Sequence, residues 1–306
     1  MTDISYLQAV TIGLLQGVTE LFPISSLGHS VLVPAMIGGS WKHLVTESTT
    51  GSSGASPYLT FIVALHVATA IALLVFFRLD WVRIIAAFFT TLRTRRVATS
   101  SQRLAWLIIV ATIPAGLTGL AFEHPLRTLF AKPTAAAVFL IVNGCILLAG
   151  ERLRRRSAAL VPAAAGAEGA AADQPSRPLE AFAYREAGII GVFQTAALFA
   201  GISRSGITMV AGLLRGLNHE DAARFSFLLA TPIIVAAGLL KLPQLLGPAA
   251  ASIRGPILAG FLTAGAAAYF SVRFLLRYFQ TRTLTPFAIY SLVAGAGCLL
   301  RFTLAG

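Results

Sequence analysis

Of the chain's 306 residues, 56% are hydrophobic and only 12% are charged, with a mean hydropathy of +0.78; a soluble chain carries about twice that share of charge. This excludes an ordinary water-soluble enzyme and points to an integral membrane protein. The net charge of +12 is no nucleic-acid footprint, because the arginines cluster between apolar spans as topogenic charge does. The expected partner is the bilayer.

Asp3 stands where a signal peptide would be basic, and Gln16 and Glu20 interrupt the apolar stretch behind it, so no cleavable signal is expected. Residues 7–36 are apolar but broken at Pro23–Gly28, which predicts two half-helices around a loop, a re-entrant hairpin. Residues 37–57, polar and Gly/Ser-rich, read as a surface loop, and Lys42, His43 and Glu47 within it show no metal-like spacing. The first full span is 59–77. Arginines then flank Trp81–Leu92, an apolar piece too short to cross, which is expected at the membrane interface. Spans two and three follow at 104–122 and 134–150, closing a first half, 1–150. Residues 151–185 begin with Glu151–Arg156 and pass into an Ala/Gly/Pro-rich tract, a basic, low-complexity cytoplasmic linker. The second half, 186–306, has a broken segment at 186–217 and spans at 224–245, 255–276 and 285–304.

Most of the 24 lysines and arginines fall on one side if the spans alternate. The two broken segments then enter from opposite sides. The fold class expected is an all-α polytopic protein of two inverted-topology repeats, each a re-entrant hairpin plus three transmembrane helices. The sequence supports this directly. Gly13–Ser30 lies over Gly191–Thr208 at an offset of 178, placing Gln16 on Gln194, Ser25 on Ser203, Gly28 on Gly206 and Ser30 on Thr208. Leu198 falls opposite Glu20 and Ile207 opposite His29, while the second copy supplies Arg204. One tip carries acid/base groups and the other a cation, so the halves are expected to complete one site.

Ionisable residues at membrane depth mark a functional site by default. Arg204, with Ser203, Ser205, Thr208 and backbone exposed by Gly201 and Gly206, is a donor set for phosphate, aided by a helix start near Gly206. The bland reading is an Arg204–Glu20 pair sealing the interface. Glu20 reads as a general acid/base or a divalent-cation ligand, and His29 as a proton relay or nucleophile beside Ser25 and Ser26. Gln16 would orient Glu20 or hold a water or metal ligand. His66, Cys145 and Cys298 read as packing residues, Asn143 and Ser226 as interhelical hydrogen bonds, and His219–Asp221 as a solvated helix start.

These tips resemble the signatures of the bacterial undecaprenyl-diphosphate phosphatase, or bacitracin-resistance, family. Gln16–His29 (QGVTELFPISSLGH) matches its first motif and Ala200–Thr208 (AGISRSGIT) its second; the likeness extends through Ile108–Glu123, Arg224–Pro232 and Arg273–Tyr290. Leu27 replaces a usual threonine, Ala200 a usual proline, and Gln16 is the neutral variant of a frequently acidic position. The resemblance implies removal of the terminal phosphate of undecaprenyl diphosphate to recycle the carrier lipid for peptidoglycan synthesis. It also implies bacitracin resistance, a divalent cation (Mg²⁺ or Ca²⁺), and a pocket opening to the outer face of the bacterial cytoplasmic membrane. Carried over by motif position, the catalytic set is Glu20, Ser26, His29 and Arg204. Gln16, Ser203 and Thr208 carry over as further functional positions; the substrate-binding set expected from these and the residues around them is Gln16, Ser25, Gly28, Gly201, Ser203, Ser205, Gly206 and Thr208, with the metal expected near Glu20 and Gln16. The nucleophile stays open among Ser26, preferred, His29 and an activated water. A lipid transporter is the alternative from another class, and a homo-oligomer is left open.

Overall fold

The computed structural model describes residues 4–50, 57–122, 132–160, 181–247 and 253–304. All regular structure among the described residues is helical. In chain order the helices are α1 (Tyr6–Thr19), α2 (Ser26–Ile37), α3 (Gly39–Thr50), α4 (Pro57–Phe76), α5 (Arg78–Thr94) and α6 (Ser100–Ala121). They continue with α7 (Pro133–Leu160), α8 (Tyr184–Thr195), α9 (Arg204–Leu213), α10 (His219–Leu246), α11 (Arg254–Tyr278) and α12 (Thr285–Leu304). Six of them, α4, α6, α7, α10, α11 and α12, have apolar stretches of 20 residues or more, the ~30 Å that a hydrocarbon core requires. With 14, 12, 12 and 10 residues, α1, α2, α8 and α9 each reach only part-way across.

Local chemistry sets these boundaries. Ser5 opens α1 with a capping box: its Oγ accepts from the Gln8 N–H at 3.2 Å, and the Gln8 side chain accepts from the Ser5 N–H at 2.9 Å. Pro23 closes the segment, and α2 restarts only after Ser25, at φ 71°. Thr99 and Gln102 form the same capping box on α6.

Three expectations are corrected. The polar stretch after residue 37 is not all loop: Gly39–Thr50 is helical, and residues 51–56 lie outside the described residues. The third span does not stop at Gly150, because α7 runs on through the basic run Glu151–Arg156 to Leu160. Leu and Arg are good helix formers, and Glu151 is buried rather than solvated. The linker therefore begins later, its stretch 161–180 lies outside the described residues, and Tyr184 and Arg185 already belong to α8. His219, read as solvated, is buried and bonds Glu151 Oε1 at 2.6 Å. That oxygen also accepts the Leu284 N–H at 2.8 Å, so Glu151 ties α7, α10 and the entry into α12 together.

Helix pairing follows close-approach positions. α1 lies along α11 and α8 along α6, while α7 pairs with α12 and α4 with α10. Gly13 on α1 sits against the Gly260 carbonyl of α11, and its repeat counterpart Gly191 on α8 sits against the Ala111 carbonyl of α6. Small residues let backbones meet where lipid offers no hydrophobic drive between helices. Large apolar side chains face outward from the spans, among them Leu117 and Leu120 on α6, Leu262 and Phe270 on α11 and Val293 on α12. In water such a surface would aggregate; in a bilayer it meets lipid. Cys145 is exposed on that surface rather than packed, whereas Cys298 is half-buried and packs against the core. α5 carries Leu79, Val82, Ile85 and Phe89 exposed beside its arginines.

Candidate active site

The site is built where the two broken segments meet. At the end of α1, Gln16 and Glu20 share one face, and the Gln16 amide donates to Glu20 Oε2 at 3.1 Å. The chain turns at Pro23, and Ser26, the first residue of α2, donates its hydroxyl to the same oxygen at 2.5 Å. From the other half, Arg204 at the start of α9 donates to Glu20 Oε1 at 3.0 Å. It also reaches the Ser226 carbonyl at 3.4 Å. A guanidinium carries five donors, so several remain for an anion. Ser203 caps α9 by accepting the Gly206 N–H at 3.1 Å, which leaves the positive end of that helix beside Arg204.

The tips are locked to each other by backbone as much as by side chains. Ser25 Oγ accepts from the Gly28 N–H at 3.2 Å and, across the interface, from the Gly201 N–H at 3.1 Å. Ser205 donates to the Phe22 carbonyl at 3.3 Å. Asn143 of α7 stands between the tips: its amide donates to the Pro23 carbonyl at 3.0 Å and to Ser291 at 3.2 Å, while its oxygen accepts from the Ser203 N–H at 2.9 Å. Gly201 has φ +114°, and a Cβ there would meet the Ala136 carbonyl; only glycine fits.

The family described as bacitracin resistance protein BacA matches residues 9–297. The chain belongs to this family. It is 62% identical to undecaprenyl-diphosphatase 2 of Frankia alni with both chains covered at 100%. It is 58% identical to the undecaprenyl-diphosphatase of Mycolicibacterium paratuberculosis over 97% of each chain. Against undecaprenyl-diphosphatase 2 of Burkholderia thailandensis the identity is 45%, over 95% of this chain and 94% of that one.

In this BacA-family chain a cavity of about 290 Å³ is lined by Glu20, Ser25, Ser26, Ser203 and Arg204, with an apolar wall including Leu59, Ile62 and Ile233. Gln16 is buried behind Glu20. Gly28, Gly201, Ser205 and Gly206 form the frame of the two tips. Two residues read as site groups face elsewhere. Thr208 bonds back to the Arg204 carbonyl at 2.8 Å and to Ser226 Oγ at 2.7 Å. His29 has both nitrogens engaged, Nδ1 with the Ser25 carbonyl at 2.7 Å and Nε2 with the Tyr290 hydroxyl at 2.8 Å, and its ring stacks on Tyr290.

Two further groups line the same cavity, His66, read from sequence as a packing residue, and Gln194. His66 Nδ1 lies 2.9 Å from the Ile62 carbonyl, which only accepts, so that nitrogen bears a hydrogen. Its Nε2 faces Glu20 Oε2 at 3.4 Å, a contact that is attractive only with a proton between them. Nothing in sequence links His66 to Glu20 except that both are polar at membrane depth. Gln194 did carry a signal, its alignment with Gln16.

Proposed function

We propose that this protein hydrolyses undecaprenyl diphosphate to undecaprenyl phosphate and inorganic phosphate, recycling the carrier lipid for peptidoglycan synthesis and conferring bacitracin resistance. The observation that carries this reading is the convergence of a hydroxyl, a carboxylate and a guanidinium from two separate segments, with Glu20 bonded to both Ser26 and Arg204. Names borne by relatives up to 62% identical supply the substrate. The fold is two inverted-topology repeats, α1–α7 and α8–α12, each with a re-entrant hairpin (α1–α2, α8–α9) and three spans. The exchanged pairings of α1 with α11 and α8 with α6 support it, since a pseudo-two-fold axis converts one into the other. The cavity opens to the outer face of the cytoplasmic membrane, and the isoprenoid lies along its apolar wall.

In this mechanism Arg204 and the α9 N-terminus hold the terminal phosphate and stabilise charge on its oxygens as the bond between the phosphates breaks. Ser26 Oγ attacks that phosphorus and gives its proton to Glu20, whose oxygen it already touches. The electron pair of the broken bond leaves on the lipid phosphate. Water then attacks the phosphoserine: as the bond from phosphorus to Ser26 Oγ breaks, Glu20 returns to Oγ the proton it holds and accepts one from the water, which it sheds to solvent as inorganic phosphate departs. His66, against the same carboxylate oxygen, is placed to share that proton. His29 holds the first turn of α2, and with it Ser26, through Ser25 and Tyr290.

A divalent cation, Mg²⁺ or Ca²⁺, belongs to this proposal. Among the described residues no group of three His, Cys, Asp or Glu is placed to bind one, but Gln16 Oε1 is buried without a partner beside Glu20. Glu20 and Gln16 would hold the cation, and it would neutralise charge on the diphosphate.

The test is phosphate release from undecaprenyl diphosphate by the purified protein, with and without EDTA, beside Ser26→Ala and Arg204→Ala. Release by wild type, abolished by EDTA and reduced at least ~100-fold in both folded variants, is expected. A folded wild type that binds the lipid but releases nothing overturns the reading and leaves lipid transport, which the repeat architecture also suits.

A further inference from the structure

The two halves treat one glutamine differently. In the first, Gln16 donates to Glu20 four residues on. In the second, Leu198 stands where that acid would be, and Gln194 at the end of α8 has no such partner. Gln194 is 2% exposed, and neither its Oε1 nor its Nε2 makes a hydrogen bond. It lines the cavity that holds Glu20, Ser26 and Arg204. A primary amide offers two donors and an acceptor, and keeping them buried and unmet costs stability. Leucine at this position would fold at least as well, so the amide points to a ligand.

We infer that Gln194 is a substrate-binding residue that reads the second phosphate of the diphosphate, the one that stays on the lipid; this rests on the phosphatase reading. Arg204 is anchored on the carboxylate that holds Ser26, so the phosphate beside Arg204 is the one attacked. The other phosphate needs donors of its own. Ser26 spends its hydroxyl hydrogen on Glu20 and His66 its Nδ1–H on the Ile62 carbonyl, whereas the Gln194 amide keeps both of its donors for it. A neutral amide also suits a group that must be released as product, because it grips the monophosphate less than a cation would.

The experiment measures binding of two non-hydrolysable probes, farnesyl methylenediphosphonate and farnesyl phosphonate, to wild type, Gln194→Leu and Gln194→Glu. Gln194→Leu is expected to melt at or above the wild-type temperature and to bind both probes at least tenfold more weakly, because each carries the lipid-attached phosphonate that the amide reads. Gln194→Glu, placing a negative charge against the phosphate, loses more. The assignment is overturned by unchanged binding of either probe in Gln194→Leu, by a lowered melting temperature, or by a wild type that binds neither probe. Phosphate release assayed in parallel separates the two readings. A wild type that binds the diphosphonate with this Gln194 dependence but hydrolyses no undecaprenyl diphosphate refutes the phosphatase and keeps the assignment.

Discussion

Glu20 has four neighbours on two oxygens, Arg204 on Oε1 and Gln16, Ser26 and His66 on Oε2, and its substitutions separate charge from shape. Glu20→Gln keeps the volume but removes both the base and the counter-charge of Arg204. A buried pair broken on one side loses about 3–5 kcal/mol, and loss of a general base slows the chemical step about 10²–10⁴-fold. Both a lower melting temperature and a lower kcat are therefore expected. Ser26→Ala should differ. It removes one donor to Glu20 while leaving the Arg204 pair intact, so it should melt near wild type and bind the diphosphonate probe normally while kcat falls to background. Melting curves and single-turnover phosphate release on the two variants check this. A Ser26→Ala enzyme retaining a tenth of wild-type kcat would exclude serine as the nucleophile and return the choice to His29 or an activated water.

At the scale of elements, the tips function only if they are held in register, and Asn143 does this from a third helix. Asn143→Leu is close in size and deletes three hydrogen bonds, orphaning the Pro23 carbonyl and the Ser203 N–H at about 1–3 kcal/mol for each buried group. The expected result is a stable but loosened site: a lower melting temperature and a kcat down about 10- to 100-fold, as misplacement by ~1 Å produces. Wild-type kcat in Asn143→Leu would show that the tips hold each other unaided. The helices themselves were legible, since hydropathy located six spans and Pro23 with the glycines located the breaks. The clasp was not. Asn143 reads as one more polar residue in a span, and its partners lie 120 and 60 positions away in sequence. Local pattern likewise grouped His29 with Ser25 and Ser26, whereas the rotation of α2 turns its imidazole onto Tyr290 of α12. His66 was missed for the converse reason: it is far from Glu20 along the chain and close to it in space. In α3 the short apolar set at helical spacing, Trp41, Leu44 and Val45, is outweighed by Gly38, Gly39 and the Ser/Thr run that follows, and the buried Glu151 that extends α7 is masked by the arginines around it.

For the whole molecule, the proposed inversion of the two halves is what allows an acid on one tip and a cation on the other to meet, because hairpins entering from opposite faces bring their tips together at mid-depth. Inversion has a consequence that reagents can reach. α4 separates α3 from α5, so if α4 crosses once, the Ser40 region and the Arg95 region face opposite sides. Arginine bias assigns Arg95 to the cytoplasm. In a background with Cys145 and Cys298 replaced by alanine, a membrane-impermeant maleimide added to intact spheroplasts should label Ser40→Cys and spare Arg95→Cys until the membrane is opened. The same reagent should spare Arg215→Cys, in the loop after α9, because the second hairpin returns to the cytoplasmic side. Labelling of Arg215→Cys from outside would place both hairpins on one face. Glu20 and Arg204 would then approach from the same side, and the pseudo-symmetry inferred from the exchanged helix pairs would not be a symmetry of the protein in its membrane.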